Sequence, residues 1–112
     1  MLKLVTNADD FGLSEKVNEA ILKSFRYGIL RSTSLMANGK SFDHAVGIIR
    51  SNPDLDIGIH LTLVEEKPIL NSEQVQSLLT DKKHFNKCAI DFTKKYFSEK
   101  ISLEEVRKEL TA

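Results

Sequence analysis

The chain has 112 residues, enough for one domain with an apolar core, and its 16 Lys+Arg balance 16 Asp+Glu. This zero formal charge, without a basic cluster, argues against nucleic acid as a partner, because neutralising phosphates takes an excess of Lys and Arg. Apolar residues make up 41% and none of their runs approaches the length of a bilayer span, so we expect no membrane partner.

The only cysteine, Cys88, excludes an intramolecular disulfide and a thiolate-rich zinc site. Its neighbours supply no base, which favours a half-buried apolar filler over a catalytic thiol. The sequence begins directly with a strand-like apolar run and shows no signal or transit peptide. We therefore expect a cytoplasmic protein.

Apolar segments alternate with helical patterns through the first 63 residues. The predicted strands are residues 2–5, 32–37 and 56–63. The predicted helices are residues 14–27 and 41–50. Ser14 is the expected N-cap of the first helix and Gly28 its C′ residue. Short links in this order predict parallel strands joined by right-handed crossovers, an α/β arrangement.

A different pattern follows, with an irregular loop, a helical turn near residues 75–79 and two further helices. The predicted helices are residues 89–98 and 103 onward. Ser102 and Glu105 form a capping box for the last helix. Its expected inner face comprises Leu103, Val106 and Leu110. We predict a single partial domain over residues 1–112, with halves 1–63 and 64–112.

Two adjacent acids, Asp9 and Asp10, lie between the first predicted strand and the first predicted helix, where α/β folds place chemistry. Adjacent side chains of an extended segment point to opposite faces. We therefore predict that one carboxylate binds a divalent metal and the other acts on water or substrate. Taken alone, the pair is better explained by one helix-capping acid and one solvated acid.

The third predicted strand carries a histidine on its polar face. Aliphatic residues at positions 57, 59, 61 and 63 alternate with Gly58, His60 and Thr62. We expect helices to cover the aliphatic face and the polar face to line a barrel or cleft. His60 then reaches the same strand ends as the aspartates, and Asp with His is an ordinary ligand set for a divalent ion. A hydrogen-bonded core histidine is the structural alternative.

Other polar residues are weaker candidates. His44, on the second predicted helix, reads as structural, and His84 as part of a surface turn. Asn7, Asn18 and Asn38 lie near strand ends or helix starts, where they could position polar groups around a site. Turn chemistry explains Asn7 and Asn38 equally well.

An ordered set of motifs carries a family resemblance. These motifs are NADDFGLS at 7–14, VNEAI at 17–21, GI at 28–29, TSLMAN at 33–38, AV at 45–46, and IGIHLTL at 57–63 followed by KP at 67–68. In order and spacing, from about residue 3 to 70, they resemble the YdjC-like carbohydrate (chitooligosaccharide) deacetylase family. Given this resemblance, we expect Asp10 and His60 to be functional residues and no longer favour purely structural roles for them.

The resemblance implies a (β/α) barrel-like fold of the polysaccharide-deacetylase type and hydrolysis of N-acetyl groups from acetylated amino sugars or oligosaccharides. It implies that Asp10 and His60 are metal ligands and that Asp9 is the general base. Magnesium suits an oxygen-rich ligand shell and zinc a nitrogen-rich one. We therefore expect a divalent ion, with magnesium preferred and zinc as the alternative.

The chain also departs from the family pattern. The family has a further metal-binding histidine in a downstream His-rich strand, and residues 64–112 contain nothing similar. A closed barrel needs roughly 250 residues. We therefore expect the N-terminal portion of the fold, about three βα units plus C-terminal helices, with an incomplete site and an exposed sheet edge that favours homo-oligomers. The alternatives are a non-catalytic half-barrel for sugar binding or oligomerisation, and a phosphatase-type metallohydrolase, which would want a phosphate-cradling loop.

Overall fold

Strands and helices alternate in the first part of a computed structural model that describes residues 1–112. The elements are β1 Asn7–Phe11, α1 Glu15–Tyr27, β2 Ser32–Met36, α2 Phe42–Ser51 and β3 Asp56–His60. The strands form one sheet in the order β1-β2-β3, and both pairs are parallel. The predicted α/β class and the predicted parallel strands are confirmed. By its internal contacts the chain divides into two units, Met1–His60 and Leu61–Ala112.

The ends of α1 follow from local chemistry. Ser14 Oγ accepts a hydrogen bond from the Val17 N–H at 3.3 Å, which makes Ser14 the N-cap as predicted. Gly28 ends the helix as the C-cap residue, with an extended φ of −117° instead of the left-handed conformation typical of C′. A Cβ at Gly28 would lie 2.7 Å from Ser24 O, so close backbone approach, and not positive φ, requires glycine here.

The core of the first unit lies on one face of the sheet, beneath α1 and α2. Its buried members are Phe11, Ile21, Leu30, Ala45, Ile48 and Leu55. The inner face of α1 includes Asn18 and Leu22 and excludes Ala20 and Ser24, which are exposed. The helical spacing of apolar residues predicts an inner face of Val17, Ala20, Ile21, Ser24 and Phe25. The observed face is rotated from this one, because α1 packs against α2 as well as β1.

The first predicted strand is wrong in position. Residues 2–5 lie outside any strand with exposed apolar side chains, and β1 begins only at Asn7. The register explains this shift: Asn7 is paired with Ser32, and Thr6 O already accepts from the Ser32 N–H at 3.1 Å. The chain before β2 is the turn that follows α1, so it offers residues 2–5 no strand partner.

The third strand is shorter than predicted, ending at His60 instead of Leu63. Ile57 packs against the helical core, whereas Ile59 is 77% exposed. The expectation that helices cover the whole aliphatic face is thus wrong at Ile59. The two helices of this unit pack mainly against each other and against β1 and β2, leaving the end of β3 uncovered by them.

The second unit contains short 3-10 turns and two helices, α3 Ala89–Phe97 and α4 Leu103–Leu110. Its buried core comprises Val75, Leu78, Leu79 and Phe85. Val106 packs against this core, but Leu103 is 64% exposed and does not belong to the inner face predicted for it. No helix of the structure combines the length and apolar character needed to cross a membrane.

Half of the predicted capping box forms at the start of α4. Ser102 Oγ accepts from the Glu105 N–H at 3.3 Å. The Glu105 carboxylate does not return the bond to Ser102. It accepts from the N–H and hydroxyl of Ser77 at 2.8 and 2.7 Å, because a tertiary partner is available to it.

Candidate functional site

The two adjacent acids occupy a β-bulge in β1. Ala8 pairs with Thr33 and Phe11 with Leu35, so three steps along β1 match two along β2. The extra residue falls in the Asp9–Asp10 pair, and Asp10 has a left-handed φ of 64°. Aspartate tolerates this conformation better than most residues, and bulges commonly redirect side chains beside functional sites.

The bulge places both carboxylates on the same face of the sheet. Ala8 and Phe11 both pack into the helical core, so the two residues between them lie on the opposite face. The prediction that Asp9 and Asp10 point to opposite faces is therefore wrong. It assumed a regular extended segment, and the bulge removes that alternation.

Asp10 and His60 meet at the ends of β1 and β3, although 50 residues separate them. Asp10 Oδ1 lies 3.7 Å from His60 Nδ1, and the Asp10 backbone N–H donates to the same nitrogen at 3.4 Å. The His60 side chain is 28% exposed and that of Asp10 is 54% exposed. Parallel strands bring their carboxyl ends to one edge of the sheet, which explains why these two distant residues converge.

This pair has the chemistry of two ligands to one divalent ion. Ion–ligand bonds of about 2.1 Å at octahedral or tetrahedral angles would bring the two atoms to roughly 3.0–3.4 Å apart, slightly closer than the observed 3.7 Å. A small rotation of either side chain closes that difference. Nowhere in residues 1–112 do three or more His, Cys, Asp or Glu side chains converge as a metal site.

Two neighbouring side chains, Ser34 and Asn7, hold Asp9 in place. The sequence alone does not predict that these two residues belong together at the site. Asp9 Oδ1 accepts from Ser34 Oγ at 2.5 Å and from Asn7 Nδ2 at 3.0 Å. Ser34 lies on β2, the middle strand, and pairs with Gly58 in register. Both bonds fall on one oxygen, Oδ1, and fix the orientation of the carboxylate. Neighbouring residues of a strand point to opposite faces, so Ser34 faces away from the core that buries Thr33. This alternation is the signal that could have identified Ser34.

The predicted secondary candidates have structural contacts. Asn18 is fully buried and bonds His44 Nδ1 at 3.1 Å, while His44 Nε2 lies 3.5 Å from Glu19 Oε1. Asn38 lies in the turn that follows β2. These contacts account for His44 without a metal.

His84 belongs to a surface turn, as its sequence context suggests. Its Nδ1 lies 3.2 Å from Asp81 Oδ1, and the N–H groups of Lys83 and His84 donate to the same oxygen at 2.8 Å. The Lys83 N–H, followed by the bonds and charge of His84, lowers the pKa of Asp81 below its ordinary value of 3.8. The Asp81 carboxylate closes the turn, and nothing about it indicates a binding role.

Comparison with known proteins adds the family. The model of the YdjC-like protein family matches residues 3–112, a longer stretch than the motifs up to residue 70 predict. Carbohydrate deacetylase 1 of Listeria innocua serovar 6a is 41% identical over 111 residues, covering 99% of this chain and 44% of that protein. The carbohydrate deacetylase of Thermoanaerobacter pseudethanolicus is 40% identical over 87 residues, covering 78% of this chain and 35% of that protein.

A solved structure shares the fold. A crystal structure from Enterococcus faecalis V583, provisionally described as a cellobiose-phosphate cleavage protein, superimposes with a TM-score of 0.82 at 37% identity. The match covers 96% of this chain and 40% of that one. The chain thus spans less than half the length of the curated relatives it matches. On the family match across residues 3–112, the chain belongs to the YdjC-like protein family.

Proposed function

We propose that the chain forms the N-terminal part of a metal-dependent carbohydrate deacetylase, which removes N-acetyl groups from acetylated amino sugars or their oligosaccharides. The observation that carries this proposal is the bulge that turns Asp9 and Asp10 to one face, with His60 beside Asp10. The deacetylase names of the relatives support it. In this proposal, chain outside residues 1–112 continues the sheet into a (β/α) barrel and adds the remaining ligand.

Within the proposed site, Asp10 Oδ1 and His60 Nδ1 hold a divalent ion, with magnesium preferred and zinc as the alternative. Such an ion supplies Lewis acidity, drawing electron density from an acyl oxygen. The two side chains already lie side by side across the ends of β1 and β3, and ion binding at His60 Nδ1 requires the Asp10 N–H to release the lone pair of that nitrogen.

Asp9 serves as the general base in this proposal. A water attacks the acetyl carbon while Asp9 Oδ2 takes its proton. Asp9 then gives this proton to the amide nitrogen as the C–N bond breaks, so the sugar leaves as a neutral amine and the acetyl group as acetic acid. Ser34 and Asn7 hold Oδ1, so the carboxylate keeps a single orientation during both transfers.

A chimaera tests this proposal in a complete protein. Residues 3–112 of this chain would replace the matched segment of the Listeria innocua relative, and acetate release from N-acetylglucosamine oligosaccharides would be measured. We expect activity, with a loss of about 100-fold or more in Asp9→Asn, the scale of a positioned base, and losses in Asp10→Asn and His60→Ala. Asp54→Asn, an exposed loop substitution, is the matched control and should be neutral. Full activity in both Asp10→Asn and His60→Ala would refute the assignment.

Two further readouts separate the competing functions. Release of glucose from cellobiose phosphate without acetate release from acetylated sugars would favour glycosidic cleavage, the reaction in the description of the solved relative. A folded but inactive chimaera that binds acetylated oligosaccharides would favour the non-catalytic sugar-binding module.

A further inference from the structure

Asn18 is a polar residue at a fully buried position on the inner face of α1. Its Oδ1 accepts from the Gly12 N–H at 2.7 Å. Its Nδ2 donates to Ser41 O at 3.0 Å and approaches His44 Nδ1 at 3.1 Å. Burying an amide is costly unless it is hydrogen-bonded, and here both amide hydrogens and the oxygen have partners. Such complete satisfaction indicates that the orientation of this side chain matters.

The contacts determine which way the Asn18 amide faces. A backbone N–H requires an acceptor and a backbone carbonyl requires a donor, so Oδ1 must face Gly12 and Nδ2 must face Ser41. Because Nδ2 only donates, His44 Nδ1 acts as the acceptor and the His44 hydrogen resides on Nε2, directed at Glu19 Oε1. The network therefore runs from α1 to the start of α2, and the donor and the acceptor of each of its hydrogen bonds are assigned.

Gly12, two residues after Asp10, is the point at which this network meets the site. Its N–H is held by Asn18, and its carbonyl accepts from the Ser41 N–H at 2.8 Å. Its φ of +99° and a Cβ-to-Met36 O distance of 3.1 Å require glycine. Asn18 bonds both Gly12 and Ser41, which closes a ring of three residues around the end of β1.

Asp10 needs such an anchor, because its left-handed conformation is unfavourable for a residue with a side chain. The bulge persists only if the chain on both sides is fixed. Pairing of Ala8 with Thr33 fixes the preceding side, and the pairing of buried Phe11 with Leu35 together with the Gly12 ring fixes the following one. A β1 released at Gly12 could relax to regular pairing, which would turn Asp10 away from His60.

We propose that Asn18 is a positioning residue that holds Asp10 against His60 by fixing the Gly12 amide, and thereby sets the affinity of the site for a divalent ion. The ion-binding part rests on the proposed function, whereas the geometric part does not. Asn18 touches neither Asp10 nor His60, so its effect passes entirely through the backbone of residues 10–12.

The test compares Asn18→Ala with Asn52→Ala in the 112-residue chain. Asn52 is another buried asparagine of the first unit, and it bonds Ile48 O and Arg26 at the end of α2. Both variants should lower the urea midpoint. Only Asn18→Ala should abolish nuclear Overhauser contacts between Asp10 and the His60 ring, and only it should weaken Mn²⁺ binding by about 10- to 100-fold, the usual effect of losing a residue that orients a ligand.

The outcomes are distinct. A folded Asn18→Ala that keeps both the Asp10–His60 contacts and wild-type Mn²⁺ affinity overturns the inference. If the wild-type chain binds no Mn²⁺, the proposed function fails, and the nuclear Overhauser comparison still decides the role of Asn18. If Asn18→Ala does not fold, hydrogen exchange in the wild-type chain decides: a Gly12 amide as protected as the core amides supports the inference, and exchange at an unstructured rate overturns it.

Discussion

Asp10 combines a strained backbone with a side chain aimed at His60. Its φ of 64° lies where few residues with a side chain are found, yet Asp and Asn adopt it more readily than others. Strain at a polar residue beside a histidine is typical of sites where geometry is maintained for a ligand. Because Asn accepts the left-handed conformation as readily as Asp, replacing Asp10 with Asn removes the carboxylate charge without disturbing the backbone.

Asp10→Asn tests the charge of the proposed ligand. Asparagine keeps the left-handed conformation, so the fold should be unchanged, while Mn²⁺ should bind at least about tenfold more weakly, about 1.4 kcal/mol. Isothermal titration calorimetry measures this loss. Asp43→Asn, on the exposed first turn of α2, serves as the control and should bind like the wild type. Equal affinities for all three proteins would contradict the assignment of Asp10.

Ser34→Ala tests the support of Asp9. The variant removes the 2.5 Å bond to Asp9 Oδ1 and leaves only Asn7 to hold that oxygen. In the chimaera we expect kcat to fall about tenfold, as for other lost outer partners of a site, with KM nearly unchanged. Because the network is exposed, the free energy of unfolding should change by less than about 1 kcal/mol. An unchanged kcat would mean that Asp9 does not depend on Ser34.

At the scale of elements, α4 fastens the loops of the second unit through carboxylates. Glu105 bonds the N–H and hydroxyl of Ser77. Glu109 is only 4% exposed, and it accepts from the N–H groups of Ile69 and Leu70 at 2.7 and 3.1 Å. An irregular segment with part-buried N–H groups needs such acceptors, because leaving donors unpaired is costly. The helix therefore replaces the strand partners that residues 69–70 lack.

Glu109→Ala should destabilise the chain by about 1–3 kcal/mol, because it removes a buried carboxylate that accepts from two part-buried N–H groups. Urea unfolding measures the loss as a lower midpoint. Glu104→Ala is the control from the same helix: it removes only an exposed pair with Lys108 at 2.8 Å and should leave the urea midpoint nearly unchanged. Similar midpoints for the two variants would show that the Glu109 bonds contribute little.

At the scale of the whole molecule, the first unit exposes apolar side chains beside its sheet. Leu2, Leu4 and Val5 precede β1, and Ile59 lies near the end of β3. Both outer strands of this three-stranded parallel sheet lack a further strand partner. Such edges and apolar patches favour association, and the zero net charge offers no repulsion against it. We therefore propose that the chain self-associates.

Sedimentation velocity tests self-association directly. The wild-type chain should form dimers or larger species at about 100 μM, a concentration at which weak complexes with micromolar dissociation constants are populated. Ile59→Lys and Leu4→Lys should shift it toward monomer by placing charge at exposed apolar positions of the first unit. Leu103→Lys, at an exposed apolar position on α4, is the control. A wild-type chain that is monomeric at this concentration would refute the proposal.

Local chemistry in the sequence was enough to determine the succession of elements. Ser14 and Ser102 mark helix starts because a side-chain oxygen can satisfy a nearby N–H, and the structure shows both bonds. Apolar periodicity placed α1 and α2 to within about one residue, and the motif order identified the family. These signals depend on residues within a few positions of one another, so no partner segment is needed to interpret them.

Tertiary structure alone decided the features that make the site. The bulge at Asp9–Asp10 depends on the register between β1 and β2, and the start of β1 depends on where Ser32 lies. The role of the buried Asn18 side chain follows only from its hydrogen bonds to Gly12 and Ser41, which the fold brings within reach. Pairing across distant segments sets all three, and no local pattern encodes the register of a strand that lies 25 residues further along the chain.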